Sequence, residues 1–180
     1  MADEPATLSP PADSGITVQK LTDELTGIPN RRALDHFLSN RKDEPVGVVM
    51  ANLDQFTAVN DIHGHPVGDL VLIEFARRIA AAAPPDGIAM RFGGNDFAVF
   101  LPGPGDMSTA QALSIVLLSA CDTPVVVGDA TIDLRLSAGI AIAPPKNPLA
   151  GLVAANTAMY EAKRRGGARA VCLDPVWEVS

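Results

Sequence analysis

The order of apolar patterns in this 180-residue chain predicts an α+β fold, a β-sheet with helices packed over it. Three observations carry that prediction. Val46 to Leu53 is a continuous apolar run rich in β-branched residues, which suits a central strand. Ile88, Met90 and Phe92, then Phe97, Val99 and Leu101, alternate on either side of Gly93-Gly94-Asn95-Asp96, as in a β-hairpin with polar residues at its turn. Leu72, Phe75, Ala76 and Ile79 repeat at helical spacing, and Pro84-Pro85 ends that helix.

The other elements follow in chain order. Residues 1–15 are rich in Pro, Ala, Ser and acid and offer little to bury, so a disordered or loosely attached tail is expected. One domain, residues 16–174, follows it, with a C-terminal tail over 175–180. Lys20 to Asn40 reads as helix in two pieces: Leu21 and Leu25 share a face, Gly27 and Pro29 break it, and Leu34, Phe37 and Leu38 resume it. Ser108 to Ala120 reads as a helix capped by Ser108 or Asp106. Thr131 to Ile142 reads as a strand, paired with Val125 to Val127 across Gly128-Asp129. A last helix, from about Leu149 to Arg165, stops at Gly166-Gly167 and leads into a short strand around Ala170 to Leu173. No internal repeat is visible.

Composition narrows the partners. A hydrophobic content of 47% suits one domain with a sizeable core. The formal charge of −7 argues against nucleic acid, whose backbone needs a clustered basic face. Lys163-Arg164-Arg165 is the locally basic stretch, and at a helix end it reads as a solvated face complementing the dipole. Cys121 and Cys172 lie in apolar surroundings without Cys-x-x-Cys spacing, so both read as buried reduced thiols. No run of about eighteen apolar residues predicts membrane insertion, and the N-terminus lacks a signal-peptide pattern, so a cytoplasmic protein is expected.

Taken singly, the polar motifs have ordinary readings. A Gly-Gly pair belongs in a tight turn. Asn60, Asp61 and Asp69 around a helix start would be caps. His63 and His65 fit no zinc spacing and have no Cys or Glu companions.

Together and in order, they resemble something more specific. Residues 23–32, Asp-Glu-Leu-Thr-Gly-Ile-Pro-Asn-Arg-Arg, are similar to D-x-L-T-G-L-x-N-R-R. Asn52-Leu53-Asp54-Gln55-Phe56, then Asn60-Asp61-Ile62-His63-Gly64-His65 and Gly68-Asp69, are similar to D-x-D-x-F-K-x-x-N-D-x-x-G-H-x-x-G-D. Residues 91–100 resemble the G-G-D/E-E-F hairpin, and residues 155–163 the closing A-D-x-A-L/M-Y-x-A-K. The chain thus resembles the GGDEF family, the cyclases that condense two GTP into cyclic di-GMP, over about residues 20–173. The resemblance implies a nucleotidyl-cyclase-like fold, a central and mostly antiparallel sheet flanked by helices.

The resemblance also implies roles. Asn60 and Asp69 match the guanine pocket. Their types suit it, since a carboxylate accepts from the guanine N1–H and N2–H while an amide both donates and accepts. Lys163 matches a triphosphate-binding Lys, and Gly93 and Gly94 the signature turn. The family's Mg²⁺ positions, a side chain, the next backbone carbonyl and the third hairpin residue, fall on Asn52, Leu53 and Asn95. Two carboxylates have become neutral amides there, weak partners for the ion. Asp54 stands nearby at a position the resemblance does not give to direct metal binding, and it would be a ligand only in an atypical Mg²⁺ site. Asp96 takes the catalytic Glu position but is shorter by about 1.5 Å, and misplacement of about 1 Å can cost about a hundredfold in rate.

Thr57 replaces a Lys and Gly167 a phosphate-binding Arg, for which Arg165 or Arg169 could substitute. The stretch Pro84-Pro85-Asp86-Gly87 lacks the Arg of an R-x-x-D inhibitory site. The expected function is a degenerate GGDEF domain in cyclic di-GMP signalling, weakly active or inactive. It would bind GTP or GDP, or another signalling protein, and need Mg²⁺ only if active. The alternatives are an active diguanylate cyclase with an atypical Mg²⁺ site and a nucleotide-free scaffold.

Overall fold

The computed structural model describes residues 21–39, 44–103, 107–145 and 147–173. Among the described residues five helices and seven strands follow one another: α1 (Ala33–Leu38), β1 (Val46–Leu53), α2 (Phe56–His63), α3 (His65–Ala82), β2 (Ile88–Gly93), β3 (Asp96–Leu101), α4 (Met107–Ala120), β4 (Val125–Val127), β5 (Ala130–Ile132), β6 (Leu136–Ala143), α5 (Pro148–Arg164) and β7 (Arg169–Cys172). The main sheet has the order β2-β3-β1-β6-β7, antiparallel except for the parallel pair β6-β7.

β1 lies in the middle, and every one of its residues is buried. Its alternate side chains feed two cores. Val49, Ala51 and Leu53 join α3 and α4 on one face, where Phe75 meets Phe97 edge-on at 5.0 Å between ring centroids. Val48 and Met50 join α1 and α5 on the other. A strand covered on both faces has no polar side, which is why 46–51 reads as an unbroken apolar run, and why the buried Asn52 that follows stands out. α5 approaches β6 backbone to backbone: a Cβ on Gly139 would lie within van der Waals overlap of the Ala155 carbonyl and Met159 amide.

Five expectations are corrected. The stretch around Leu21 and Leu25 is not helical but a looped turn, closed by a Thr22–Pro29 bridge and docked on the hairpin by an Asn30–Arg91 bridge. The strand expected over 131–142 is two, β5 and β6; β5 pairs with β4 as a separate ribbon, and β6 joins the main sheet. Ser108 lies within α4 rather than capping it, and Asp106 falls outside the described residues. Asn60 and Asp61 lie inside α2 and Asp69 inside α3, so none is a cap. The two tails, residues 1–15 and 175–180, also fall outside the described residues. Both cysteines are free, but only Cys121 is buried; Cys172 is half-buried, its thiol 2.9 Å from Met107 Sδ.

Candidate functional site

The C-terminal end of β1 brings the polar motifs together. Strand register sets Asn52 opposite Asp96 of β3 on one side and Ser137 of β6 on the other. The turn between β2 and β3 therefore folds beside Asn52 and Leu53. Its backbone needs glycine: Gly93 and Gly94 have φ of 130° and 53°.

A continuous chain of hydrogen bonds runs through this junction. Asn52 Nδ2 donates to Asp96 Oδ1 at 2.5 Å. Asn95 Nδ2 donates to Asn52 Oδ1 at 3.0 Å and to the Leu53 carbonyl at 2.7 Å. Asn52 itself is only 5% exposed, whereas Asn95 and Asp96 are half-buried, so it is the Asn52 amide that would be costly to leave unpaired.

Arg91 braces the same turn from outside. Its Nε and Nη2 donate to the Gly94 carbonyl at 3.0 and 2.8 Å, and its Nη1 to Asp23 Oδ1 at 2.7 Å. Asp23 also accepts from the Thr26 amide and hydroxyl. Burial works to raise the Asp23 pKa, but the hydrogen bonds from Thr26 and Arg91 and the Arg91 charge outweigh it and hold the carboxyl below its ordinary value.

Asp54 serves a different junction. Its Oδ1 accepts from Ser137 Oγ at 2.7 Å and its Oδ2 from the Ala168 amide at 2.8 Å, so the carboxylate ties β6 to the turn between α5 and β7. A Cβ on Gly167, at φ +71°, would lie 2.7 Å from Asp54 Oδ2. The Arg that the resemblance expects at 167 is thus disfavoured by the left-handed backbone and would require the Asp54 carboxylate to shift. Of the two suggested substitutes, Arg165 pairs with Glu161 at 2.8 Å and Arg169 Nε donates to the Gly167 carbonyl at 3.1 Å. Hydrogen bonding from Arg165, helped by the charges of Arg164 and Arg165, holds the Glu161 carboxyl below its ordinary pKa against desolvation. Lys163 Nζ lies 5.9 Å from the Tyr160 ring centroid.

Asn60 and Asp69 come from consecutive helices joined at Gly64, whose φ of 83° allows the break. Gly68 is buried against the Asn60 amide; any Cβ there would overlap Asn60 Oδ1. Asn60 therefore folds over the first turn of α3, one residue before Asp69. Among the described residues, neither the Asn60 side chain nor the exposed Asp69 carboxylate makes a hydrogen bond or ion pair.

The site holds one residue that the motif reading passed over. Asn156 lines a cleft of about 300 Å³ with Arg31, Met50, Phe92, Asp96, Leu152 and Val153. Its signal was present: the closing motif A-D-x-A has Asp where this chain has Asn156. His63 and His65 are exposed, and no cluster of three His, Cys, Asp or Glu suited to a metal occurs among the described residues. No described helix is long and apolar enough to cross a membrane.

A mostly antiparallel sheet with this hairpin at the end of its central strand defines the class of the nucleotide cyclases' GGDEF fold. Residues 20–169 match the family model "Diguanylate cyclase, GGDEF domain", and the chain belongs to the GGDEF family. It is 29% identical over 164 residues to the diguanylate cyclase DgcZ of Escherichia coli, covering 88% of this chain and 55% of that protein. It is 34% identical over 151 residues to the cyclic di-GMP phosphodiesterase PdeR of the same organism, covering 81% of this chain and 23% of the other. The chain thus spans about half or less of these relatives. Among solved structures, it superposes with a TM-score of 0.80 and 27% identity on Pseudomonas aeruginosa diguanylate cyclase SiaD, crystallised with its activator SiaC, over 88% of this chain and 64% of that one. The TpbB GGDEF domain from the same species matches with a TM-score of 0.78 and 31% identity, over 84% and 93% of the two chains.

Proposed function

We propose that this protein is a catalytically weak or inactive GGDEF domain of cyclic di-GMP signalling, kept as a guanine-nucleotide-responsive module that acts through a partner protein. The observation that carries the reading is that neither Asn60 nor Asp69 spends its side chain on a partner among the described residues, while Asn60 packs against Gly68, the residue before Asp69. A free carboxylate beside a free amide is complementary to the donor edge of guanine, whereas adenine offers the carboxylate no matching donor pair. At the end of β1, in contrast, the positions aligned with the family's Mg²⁺ ligands carry Asn52 and Asn95, and Asp96 stands a bond short of the catalytic Glu. Recognition is retained where chemistry is weakened. A nucleotide-loaded surface read by a second signalling protein in the cytosol is the role left for such a domain.

Calorimetric titration with GTP, GDP and ATP, with and without Mg²⁺, tests the reading alongside an assay for cyclic di-GMP. GTP and GDP should bind better than ATP, and no product should form at ordinary enzyme concentrations. Asp69→Ala should remove the base preference, a loss of about 1–3 kcal/mol from guanine donors left unpaired. Equal binding of ATP and GTP by the natural chain would favour the scaffold; robust Mg²⁺-dependent turnover abolished by Asp96→Ala would favour the cyclase.

A further inference from the structure

We infer that the Asn95 carboxamide occupies the place of the cation, making the site metal-independent and suited to nucleotides free of a divalent ion. This rests on the nucleotide-binding reading above and adds the ionic form of the ligand.

The atoms that the family resemblance assigns to Mg²⁺ are the side chain at 52, the carbonyl at 53 and the side chain at 95. Here the third of these faces the other two with nitrogen. Asn95 Nδ2 lies 2.7 Å from the Leu53 carbonyl and 3.0 Å from Asn52 Oδ1. The direction of the chain is fixed at the Leu53 carbonyl. That carbonyl can only accept, so the atom of Asn95 facing it is the donor nitrogen. The same nitrogen faces Asn52, which therefore turns its oxygen to Asn95 and its nitrogen to Asp96 Oδ1. Flipping either amide would set oxygen against oxygen.

Both N–H bonds of Asn95 are therefore spent on the two oxygens a divalent ion would need. A Mg²⁺ ion requires oxygen ligands at about 2.0–2.1 Å in near-octahedral array. The donor set present does not fit it: one of the three groups presents N–H, and the other two already accept from it. Asp54 does not restore the fit, since both its oxygens hold Ser137 and Ala168. Where a cation would draw the hairpin turn to the end of β1 by charge, a neutral amide does so by two hydrogen bonds. The junction is then set before any ligand arrives, and bound phosphates meet no ion.

Thermal melts of the full chain in EDTA and in excess MgCl₂, without nucleotide, test this. The natural protein should melt at the same temperature in both. Asn95→Asp replaces the donor with a carboxylate facing the Leu53 carbonyl, Asn52 Oδ1 and Asp96. It should melt several degrees lower in EDTA and recover in MgCl₂. Asn95→Ala should melt lower in both and ignore the ion. The inference is overturned if Mg²⁺ stabilises the natural chain as it does Asn95→Asp, or if Asn95→Asp in EDTA melts with the natural chain. Should Asn95→Asp fail to fold, Asn95→Ala decides: a melting temperature equal to that of the natural protein overturns the lock. A ligand arm uses GDP in EDTA against GDP with MgCl₂, where equal affinity is expected and a tenfold gain with Mg²⁺ overturns the inference. Absence of any nucleotide binding would defeat the functional reading while leaving the melts to judge the lock.

Discussion

Asn52→Asp is the most informative single change at the junction. Asn52 Nδ2 lies 2.5 Å from Asp96 Oδ1, and the side chain is 5% exposed. The substitution keeps the acceptor for Asn95 but turns the donor facing Asp96 into a second carboxylate oxygen. Two unit charges about 4 Å apart repel by about 4 kcal/mol at an effective dielectric of about 20. Side-chain rotation and entering water relieve part of this, so a net destabilisation of about 2–3 kcal/mol at neutral pH is expected. Like charges in contact raise the apparent pKa of the pair, and one shared proton removes the repulsion. A pKa raised in the folded state gives stability that is present at low pH and lost as pH rises through it. The deficit relative to the natural chain should therefore be large at pH 7 and shrink towards pH 5. Urea unfolding of both proteins at the two pH values, in EDTA, measures it. An Asn52→Asp protein as stable as the natural one at pH 7 would refute the hydrogen-bonded chain, and a deficit that grows on acidification would refute the charge argument.

Two further outcomes concern the contacts around that junction. Gly167→Arg, the change suggested by family pattern, should destabilise rather than repair the site, because the backbone there is left-handed and a Cβ meets Asp54 Oδ2 at 2.7 Å; a cost of about 2 kcal/mol is expected in urea unfolding, and nucleotide affinity should not rise. Asp23, held below its ordinary value of 3.8, stabilises the fold above that value and loses its contribution as pH falls through the lowered pKa. Asp23→Asn should therefore be less stable at pH 7 yet lose less on acidification from pH 5 to pH 3, and parallel curves for the two proteins would show that Arg91 does not depend on this carboxylate.

How far the sequence foretold this arrangement depended on the distance over which each feature is decided. β1 and α3 were legible because a strand buried on both faces and a helix with Leu72, Phe75, Ala76 and Ile79 inside write their burial into local pattern. α2 was not foreseen as a helix. None of its eight residues is buried, and its apolar face, Phe56 and Val59 half-buried on the core with Ile62 exposed, is too short to stand out from the polar residues around it. The looped turn after Leu21 was misread as helix because what shapes it is remote: Asp23 bonds Arg91, 68 positions away. The break between β5 and β6 escaped notice because both are apolar, and the segment between them includes buried Leu134. At the site, the amide identities of Asn52 and Asn95 could be read from the motifs. That they bond one another could not, since 43 positions separate them and only the pairing of Asn52 with Asp96 across β1 and β3 brings them together.

The same pairing makes the two amides interdependent. Asn52 spends its oxygen on Asn95 and its nitrogen on Asp96, so it transmits the position of one to the other. With a carboxylate at 95 alone, Asn52 Oδ1 loses its donor and meets a charge. With a carboxylate at 52 alone, Asp96 loses its donor and meets a charge. Changing both, with Asp96→Glu, creates three carboxylates that repel unless a divalent ion gathers them. The variant Asn52→Asp/Asn95→Asp/Asp96→Glu should therefore be strongly Mg²⁺-dependent in stability even if its turnover stays low. Its loss in EDTA should differ from the sum of the single losses, because neighbours sharing a hydrogen-bond chain do not add. Strict additivity of the single and combined variants in EDTA would mean that the side chains act separately. The junction at the end of β1 would then owe its shape to the sheet alone.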